Sequence, residues 1–305
     1  MRKTILSTAD VARLFSVTET TVKRWADEGT LKCQKTPGGH RKFEIRSVVD
    51  FAEKNHFDPV GVLAYAGDRR FSDGLQVAIL ARDYAALVRM YVERALTPDT
   101  TDLFAFLSFL YEHRIPLAEI YDRVIRAGMQ EIGEMWASGT IGISHEHRAS
   151  YETMDAISKL QTEILLKPAT GRQVLCACLG EELHEIGLRC TANIFESEGW
   201  RVHYLGARTP VDAIVAAIRE VRPDVVSLSV THMESYDTVV KDLAAIAAVV
   251  QLTGGKMILG GGGSSRVRSE ADAVGAVLGS ASELLDYIGS LPRASHAGSE
   301  HAQTP

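Results

Sequence analysis

Beyond Lys167 the hydrophobic pattern of this chain changes from a helical period to short apolar runs that alternate with amphipathic helical stretches. The run Val174 to Leu179 (VLCACL) is apolar throughout, as a strand buried on both faces must be, and a helical stretch over 184–198 follows it. The pattern then repeats as strand 201–205, helix 210–221, strand 225–230, helix 235–252 and strand 256–259. Strands separated by helices cannot pair as tight hairpins. Each crossover returns the chain parallel to the previous strand, and its handedness places helices on both faces of the sheet. Residues 169–292 therefore read as a Rossmann-like, doubly wound parallel sheet, in which ligands bind beyond the carboxyl ends of the strands.

Upstream, Leu75 to Leu166 keeps a helical period, broken near Thr97-Pro98-Asp99, near Arg114-Ile115-Pro116, and at Gly139 and Gly142. Helices over 75–96, 100–113, 117–137 and 144–166 fit, joined by short turns, and predict a four-helix bundle over 75–168. The whole chain is thus a multidomain α and α/β protein. Residues 57–74 read as a linker with a short strand-like segment, and 293–305 (RASHAGSEHAQTP) as a disordered tail.

The first 56 residues are a third kind of module. Ser7 and Thr8 stand as N-caps before Val11, Leu14 and Phe15, and Thr18 stands before ETTVKRWADEG, which ends at Gly29 where a left-handed C-cap is expected. Two short helices joined by a tight turn make a helix-turn-helix. Thr30 to Gln34 and His40 to Phe43 read as two extended segments around a Pro37-Gly38-Gly39 turn, a β-hairpin wing, and a third helix follows from Ile45 to Lys54. The charge agrees with a nucleic-acid role. Residues 1–55 carry 11 Lys and Arg against 7 Asp and Glu, a net +4 in a chain of net −6, so the other 250 residues carry −10. The second helix of such a motif enters the major groove with its early residues toward base edges, which selects Thr20, Thr21, Lys23 and Arg24. In the wing, Lys35, His40, Arg41 and Lys42 flank Gly38 and Gly39, whose lack of side chains lets the backbone approach a phosphate. The partner these features imply is double-stranded operator DNA. A solvated protein-interaction module is the alternative.

A hydrophobic content of 46% over 305 residues excludes a disordered chain or a miniprotein. No uninterrupted run of 18 apolar residues and no secretory leader is present, so a cytoplasmic protein without membrane insertion is expected. Four cysteines, Cys33, Cys176, Cys178 and Cys190, are too few and too irregularly spaced for a disulfide framework. Cys176 and Cys178 share a face of the first strand and are expected to be inert core thiols rather than a redox pair.

Two constellations suggest a cofactor. After the first strand of the sheet comes Glu182-Leu183-His184-Glu185-Ile186-Gly187, at the edge where ligands bind. His184 can offer one ring nitrogen to a metal while Glu182 orients the other. Taken alone, such a histidine is more often an ordinary surface residue. In the helical region, Trp136 is followed after nine residues by Glu146-His147; taken alone, these read as a core anchor and two surface residues. Gly260 to Gly263 could suggest a phosphate loop, but no Gly-Lys-Ser/Thr follows.

Three resemblances change the weighing. The run STADVARLFSVTETTVKRWADEGTLKCQKTPGGHRKF resembles the winged helix-turn-helix of MerR-type regulators, in particular the BldC-like and excisionase-like branch. ELHEIG resembles the D-x-H-x-x-G motif of cobalamin-binding domains, with Ser229-Val230-Thr231 where that family has S-x-L and Gly260-Gly261 for its GG; Glu182 and Thr231 are departures. The spacing of Trp136, Glu146 and His147 resembles the W-x9-E-H signature of light-sensing cobalamin regulators of the CarH/LitR type.

These resemblances imply an adenosylcobalamin-binding, non-enzymatic transcriptional repressor. His184 would be the lower axial ligand of cobalt, and Trp136 would pack over the adenosyl group with Glu146 and His147 nearby. Glu182, Gly187, Ser229, Thr231, Gly260 and Gly261 would complete the cofactor site. They also imply a homo-oligomer in the dark, a tetramer being one candidate, that light dissociates. One departure matters: a branch of these photoreceptors has a histidine after the Trp, and here it is Ala137, which cannot ligate metal. His145 or His147 could substitute. A light-independent sensor of cobalamin or haem therefore stays open, as does a corrinoid enzyme subunit or a Rossmann-like domain serving protein contacts alone.

Overall fold

A computed structural model of the chain describes residues 5–36, 38–55, 57, 73–97, 103–231, 235–267 and 275–292. Pro37, nearly all of the 57–74 linker with its strand-like segment, and the tail at 293–305 lie outside the described residues. The chain divides into two compact units, residues 1–90 with 109–115, and residues 91–108 with 116–305.

The first unit opens with β1 (Ile5–Ser7), too short for a period-2 pattern to reveal. It pairs antiparallel with β3 (Arg41–Glu44), which pairs on its other side with β2 (Gln34–Lys35). The extended segment expected over Thr30 to Gln34 is thus a strand only at its end. Helix α1 (Thr8–Leu14) is closed by a capping box: the Asp10 amide donates to Ser7 Oγ at 3.2 Å and the Ser7 amide to Asp10 Oδ2 at 2.9 Å. Thr18 caps α2 (Glu19–Asp27), and Gly29 leaves it at φ +74°, the left-handed conformation its sequence position predicted. Helix α3 (Ile45–Lys54) has the expected bounds. Leu6, Val11, Val22, Leu31, Phe43 and Val48 are buried together, with Phe15, Trp25, Phe51 and Phe57 in mutual ring contact.

The helical region differs from four uninterrupted helices. The first is two, α4 (Asp73–Leu80) and α5 (Tyr84–Leu96), separated where Arg82 takes φ +52° and Asp83 Oδ1 accepts from the Ala86 amide at 3.0 Å. The local cap outweighs a continuous apolar period. Then come α6 (Leu103–Glu112) and a third helix in three parts: α7 (Leu117–Glu119), a π-helical segment Ile120–Ile125, and α8 (Arg126–Ala137). Helix α9 (Ile143–Gln161) stops short of the expected 166, leaving Leu165 and Leu166 exposed. In the second unit the buried Tyr91 closes against α8, where a Cβ on Gly128 would lie 2.2 Å from its ring, and its hydroxyl pairs with Thr153 Oγ1 of α9 at 2.6 Å.

The parallel sheet contains β4 (Gln173–Leu179), β5 (Arg201–Thr209), β6 (Val225–Ser229), β7 (Lys256–Gly260) and β8 (Gly275–Val277), in the order β5-β4-β6-β7-β8. Its helices are α10 (Ile186–Ser197), α11 (Val211–Val221), α12 (Tyr236–Thr253) and α13 (Ala281–Ser290). β8 and α13 were not anticipated, because a three-residue strand carries no usable period. Leu175, Ala177, Val226 and Leu228 pack with Ile214, Ile218, Leu243 and Ile246 in one apolar cluster. β4, first in the chain, has β5 on one side and β6 on the other. The strand order therefore reverses between β4 and β6, and a crevice opens at their carboxyl ends.

Candidate functional site

That crevice is part of a cavity of about 1230 Å³ within the second unit. It is larger than the roughly 300–1,000 Å³ of pockets for drug-sized ligands. It is lined by the loops after β4, β6 and β7 and by residues of α8 and α9.

On the sheet side, Glu182 is buried, 5% exposed, and His184 is exposed beside it. His184 Nδ1 lies 2.5 Å from Glu182 Oε1, and the same oxygen accepts the His184 backbone N–H at 2.8 Å. The other oxygen, Oε2, accepts the Thr231 N–H at 2.6 Å from the end of β6. With Nδ1 so engaged, Nε2 is the ring nitrogen left to meet a ligand in the cavity that His184 lines. Glu185, also on the wall, accepts from Tyr204 Oη at 3.1 Å, and the Arg189 guanidinium stacks 3.8 Å from the Tyr204 ring. Gly187, Ser229, Thr231, Gly260 and Gly261 all line the cavity. Gly261 has φ +90°, and a Cβ there would stand 2.5 Å from Val230 O, so only glycine fits.

On the helical side, Trp136 is 47% exposed and lines the cavity, as do Glu146 and His147. Glu146 Oε2 lies 2.6 Å from His147 Nδ1, and Oε1 accepts from Ser150 Oγ at 2.8 Å. His145 and Ala137 are not on the wall. Sequence reasoning missed Asp122 and Arg126, which also line it. Asp122 accepts from the amides of Ala281 and Ser282 at 2.8 and 3.0 Å and from Ser282 Oγ at 2.9 Å, and Arg126 Nη1 donates to Gly279 O at 2.6 Å. No local motif marks them, because their partners lie more than 150 residues away.

A metal at His184 would have to bring most of its own coordination shell. Among the described residues no group of three or more His, Cys, Asp or Glu side chains could hold a metal ion. A single exposed imidazole oriented by a buried carboxylate, in a large cavity that a tryptophan also lines, fits a macrocycle-bound metal.

In the first unit, Thr20, Lys23 and Arg24 are exposed on α2, while Thr21 is committed to the N-cap: its amide donates to Thr18 Oγ1 and the two hydroxyls are 3.0 Å apart. Lys35, Gly38, Gly39, His40 and Lys42 are exposed on the wing. Arg41 is placed differently from the expectation of a free wing cation. Its side chain is 16% exposed, and Nη2 lies 2.7 and 2.8 Å from the two carboxylate oxygens of Asp27, which also takes Lys35 Nζ at 3.3 Å. The hydrogen bond from Arg41 holds the Asp27 carboxyl below the ordinary carboxylate range.

Comparison with known proteins places these features together. Residues 172–287 match the family described as B12 binding domain, residues 73–160 match a second model of the same description, and residues 5–56 match a helix-turn-helix domain. The HTH-type transcriptional repressor CarH of Myxococcus xanthus is 26% identical over 239 residues, 73% of this chain and 78% of that protein. These matches support a CarH-type, cobalamin-binding transcriptional regulator. The repressor CarA of the same organism is 34% identical to the regulator over 119 residues, 38% of this chain and 41% of CarA. The monomethylamine corrinoid protein of Methanosarcina barkeri shares the fold, with a TM-score of 0.56 at 13% identity over 67% of this chain and 97% of that one. Among the described residues no helix of the regulator is long and apolar enough to cross a membrane.

Proposed function

We propose that this regulator is a cytoplasmic, light-responsive repressor that holds adenosylcobalamin in the cavity, with His184 below cobalt and Trp136 above it. The observation that carries the proposal is the arrangement of His184: Nδ1 on buried Glu182, the ring lining a cavity that Trp136 also lines. Bound there, adenosylcobalamin supplies a light-labile bond between cobalt and carbon.

The chain's residues do the rest. Glu182 accepts a hydrogen bond from the Nδ1–H and so strengthens Nε2 as a donor of its lone pair. Gly187, Ser229, Thr231, Gly260, Gly261, Glu146 and His147, which line the cavity, would help to hold the group. Trp136 excludes water over a wide area without adding a ligand. Residues of α8 and α9 that line the cavity would contact the group, and an assembly that forms better with those helices so supported would lose stability without it. Several winged modules linked in one homo-oligomer, a tetramer in the dark, bind operator DNA through a high effective concentration, and separation of the copies releases it. The modules bind through Thr20, Lys23 and Arg24 of α2 and through Lys35, Gly38, Gly39, His40 and Lys42 of the wing, with Thr21 and Arg41 acting through their contacts to Thr18 and Asp27.

The test is the visible absorption spectrum of the full chain loaded with adenosylcobalamin in darkness and freed of excess ligand, recorded before and after green light, with size-exclusion chromatography and operator binding alongside. A retained corrin spectrum that changes together with oligomer size and DNA affinity supports the proposal. A retained spectrum with light-independent assembly replaces it with a dark B12 sensor, the reading Ala137 favours. Retention unaffected by His184→Ala removes the ligand role of His184.

A further inference from the structure

Helix α8 turns Arg126, Met129, Gln130, Gly133 and Trp136 toward the cavity, the three- and four-residue spacing of one helical face. Gly133 sits in that stripe one turn before Trp136. The helix contains one other glycine, and protein packing accounts for it: Gly128 lies under the Tyr91 ring, where a Cβ has no room. Gly133 has no such neighbour. Among the described residues, its chain neighbours and its own helix backbone apart, a Cβ added there meets no atom within 4 Å, and its backbone is not among the positive-φ positions that call for glycine. Glycine inside a helix is disfavoured relative to alanine because it loses more backbone entropy on folding. Neither backbone conformation nor packing against the protein requires glycine at position 133, and the space it leaves open is on the cavity side.

We infer that Gly133 is a specificity-determining residue that sets the clearance above the corrin and admits cobalamins with a bulky, nucleoside-sized upper substituent. The inference rests on the reading that His184 lies below the corrin and Trp136 above it. On that reading a side chain at 133 adds atoms to the cavity that Trp136, one turn further along α8, and Ile143 of α9 also line. A corrinoid with a small upper group, such as methyl, leaves that space empty and is indifferent to the change.

The experiment measures dark binding of adenosylcobalamin and methylcobalamin to the full-length protein by absorption titration, for the wild type, Gly133→Ala and Gly133→Leu, with thermal melting of each cofactor-free protein. Overpacking predicts that Gly133→Leu weakens adenosylcobalamin by about tenfold or more and changes methylcobalamin by less than about twofold, with Gly133→Ala between. Cofactor-free Gly133→Ala melts above the wild type, because alanine is the better helix former. This melting result and the alanine titration keep the inference testable if Gly133→Leu does not fold. Equal weakening of both corrinoids, unchanged adenosylcobalamin binding, or a lower melting point for Gly133→Ala overturns the inference while leaving the cavity reading standing. A wild type that retains neither corrinoid overturns both.

Discussion

Glu182 holds His184 with one carboxylate oxygen and the backbone of Thr231 with the other, so a single buried side chain ties the loop after β4 to the end of β6 across the point where the strand order reverses. Cobalamin-binding domains carry Asp at this position of their motif, and the extra methylene of Glu lengthens the reach toward the second strand. Replacing Glu182 by Ala leaves the His184 and Thr231 amides and His184 Nδ1 without their acceptor. The expected loss is about 1–3 kcal/mol of stability in urea denaturation. Cofactor affinity should fall about 10–100-fold, as for other partners of metal-bound histidines. Glu182→Asp should lose less of both. An unchanged denaturation midpoint in Glu182→Ala would show that water replaces the carboxylate at no cost.

On the proposed function, Asp27 competes with DNA for the wing cations. Arg41 and Lys35 both lie on its carboxylate in the free module. Asp27→Asn should release them, tightening nonspecific DNA binding and steepening the salt dependence by about 0.9 for each additional phosphate contact. Filter binding at several salt concentrations measures the slope. Weaker binding with an unchanged slope would mean instead that Asp27 orients Arg41 in the complex.

The same pair has a defined pH window. Because the folded Asp27 carboxyl is held below its ordinary value, its contribution to stability is complete above about pH 4 and is lost only as the pH falls through the lower folded value. Acid titration of the isolated Asp27 carboxyl signal by NMR should show a midpoint below that of a reference Asp, and Arg41→Ala should return it toward normal. A normal midpoint in the wild type would mean the ion pair is not populated in solution.

Asp122 closes the amino end of α13 from the π-helical segment of another helix, accepting from two backbone amides and a hydroxyl. Asp122→Ala should cost about 0.5–2 kcal/mol, the range for loss of a helix N-cap. Hydrogen exchange of the Ala281 and Ser282 amides should quicken. Unaltered protection at both positions would contradict the contact.

Three of the four thiols should resist alkylation in the native state. Burial pushes the Cys178 thiol up to about 12 and raises those of Cys176 and Cys190 as well, so little thiolate exists at pH 8. Cys33 is half-buried. Mass spectrometry after brief iodoacetamide treatment should find one modified cysteine per native chain and four after unfolding. Rapid labelling of Cys176 or Cys178 would show that β4 is exposed.

Local signals carried most of the secondary structure. Ser7, Thr18 and Gly29 mark helix ends by chemistry that operates within four residues, and α3 runs over Ile45–Lys54 as its apolar spacing required. β4, β6 and β7 were legible because each is mainly apolar, whereas β5 (RVHYLGART) mixes polar and apolar residues and runs four residues past the expected end at 205. β1 and β8, three residues each, were not, and the break at Arg82 was hidden because the apolar period continues across it.

The alternation of strand and helix after Lys167 determined a parallel, doubly wound sheet, and the spacing of Glu182, His184, Trp136, Glu146 and His147 nominated the side chains of a cofactor site. Only the tertiary structure decided the strand order with β4 between β5 and β6, the bridge from Glu182 to Thr231, the closure of α13 by Asp122, and the turning of Arg41 onto Asp27. The physical reason is range. Periodicity and capping are energies between residues a few positions apart, whereas an ion pair or a strand neighbour depends on distances that packing of the whole chain sets, so residues 14, 49 or 159 positions apart become partners only after folding.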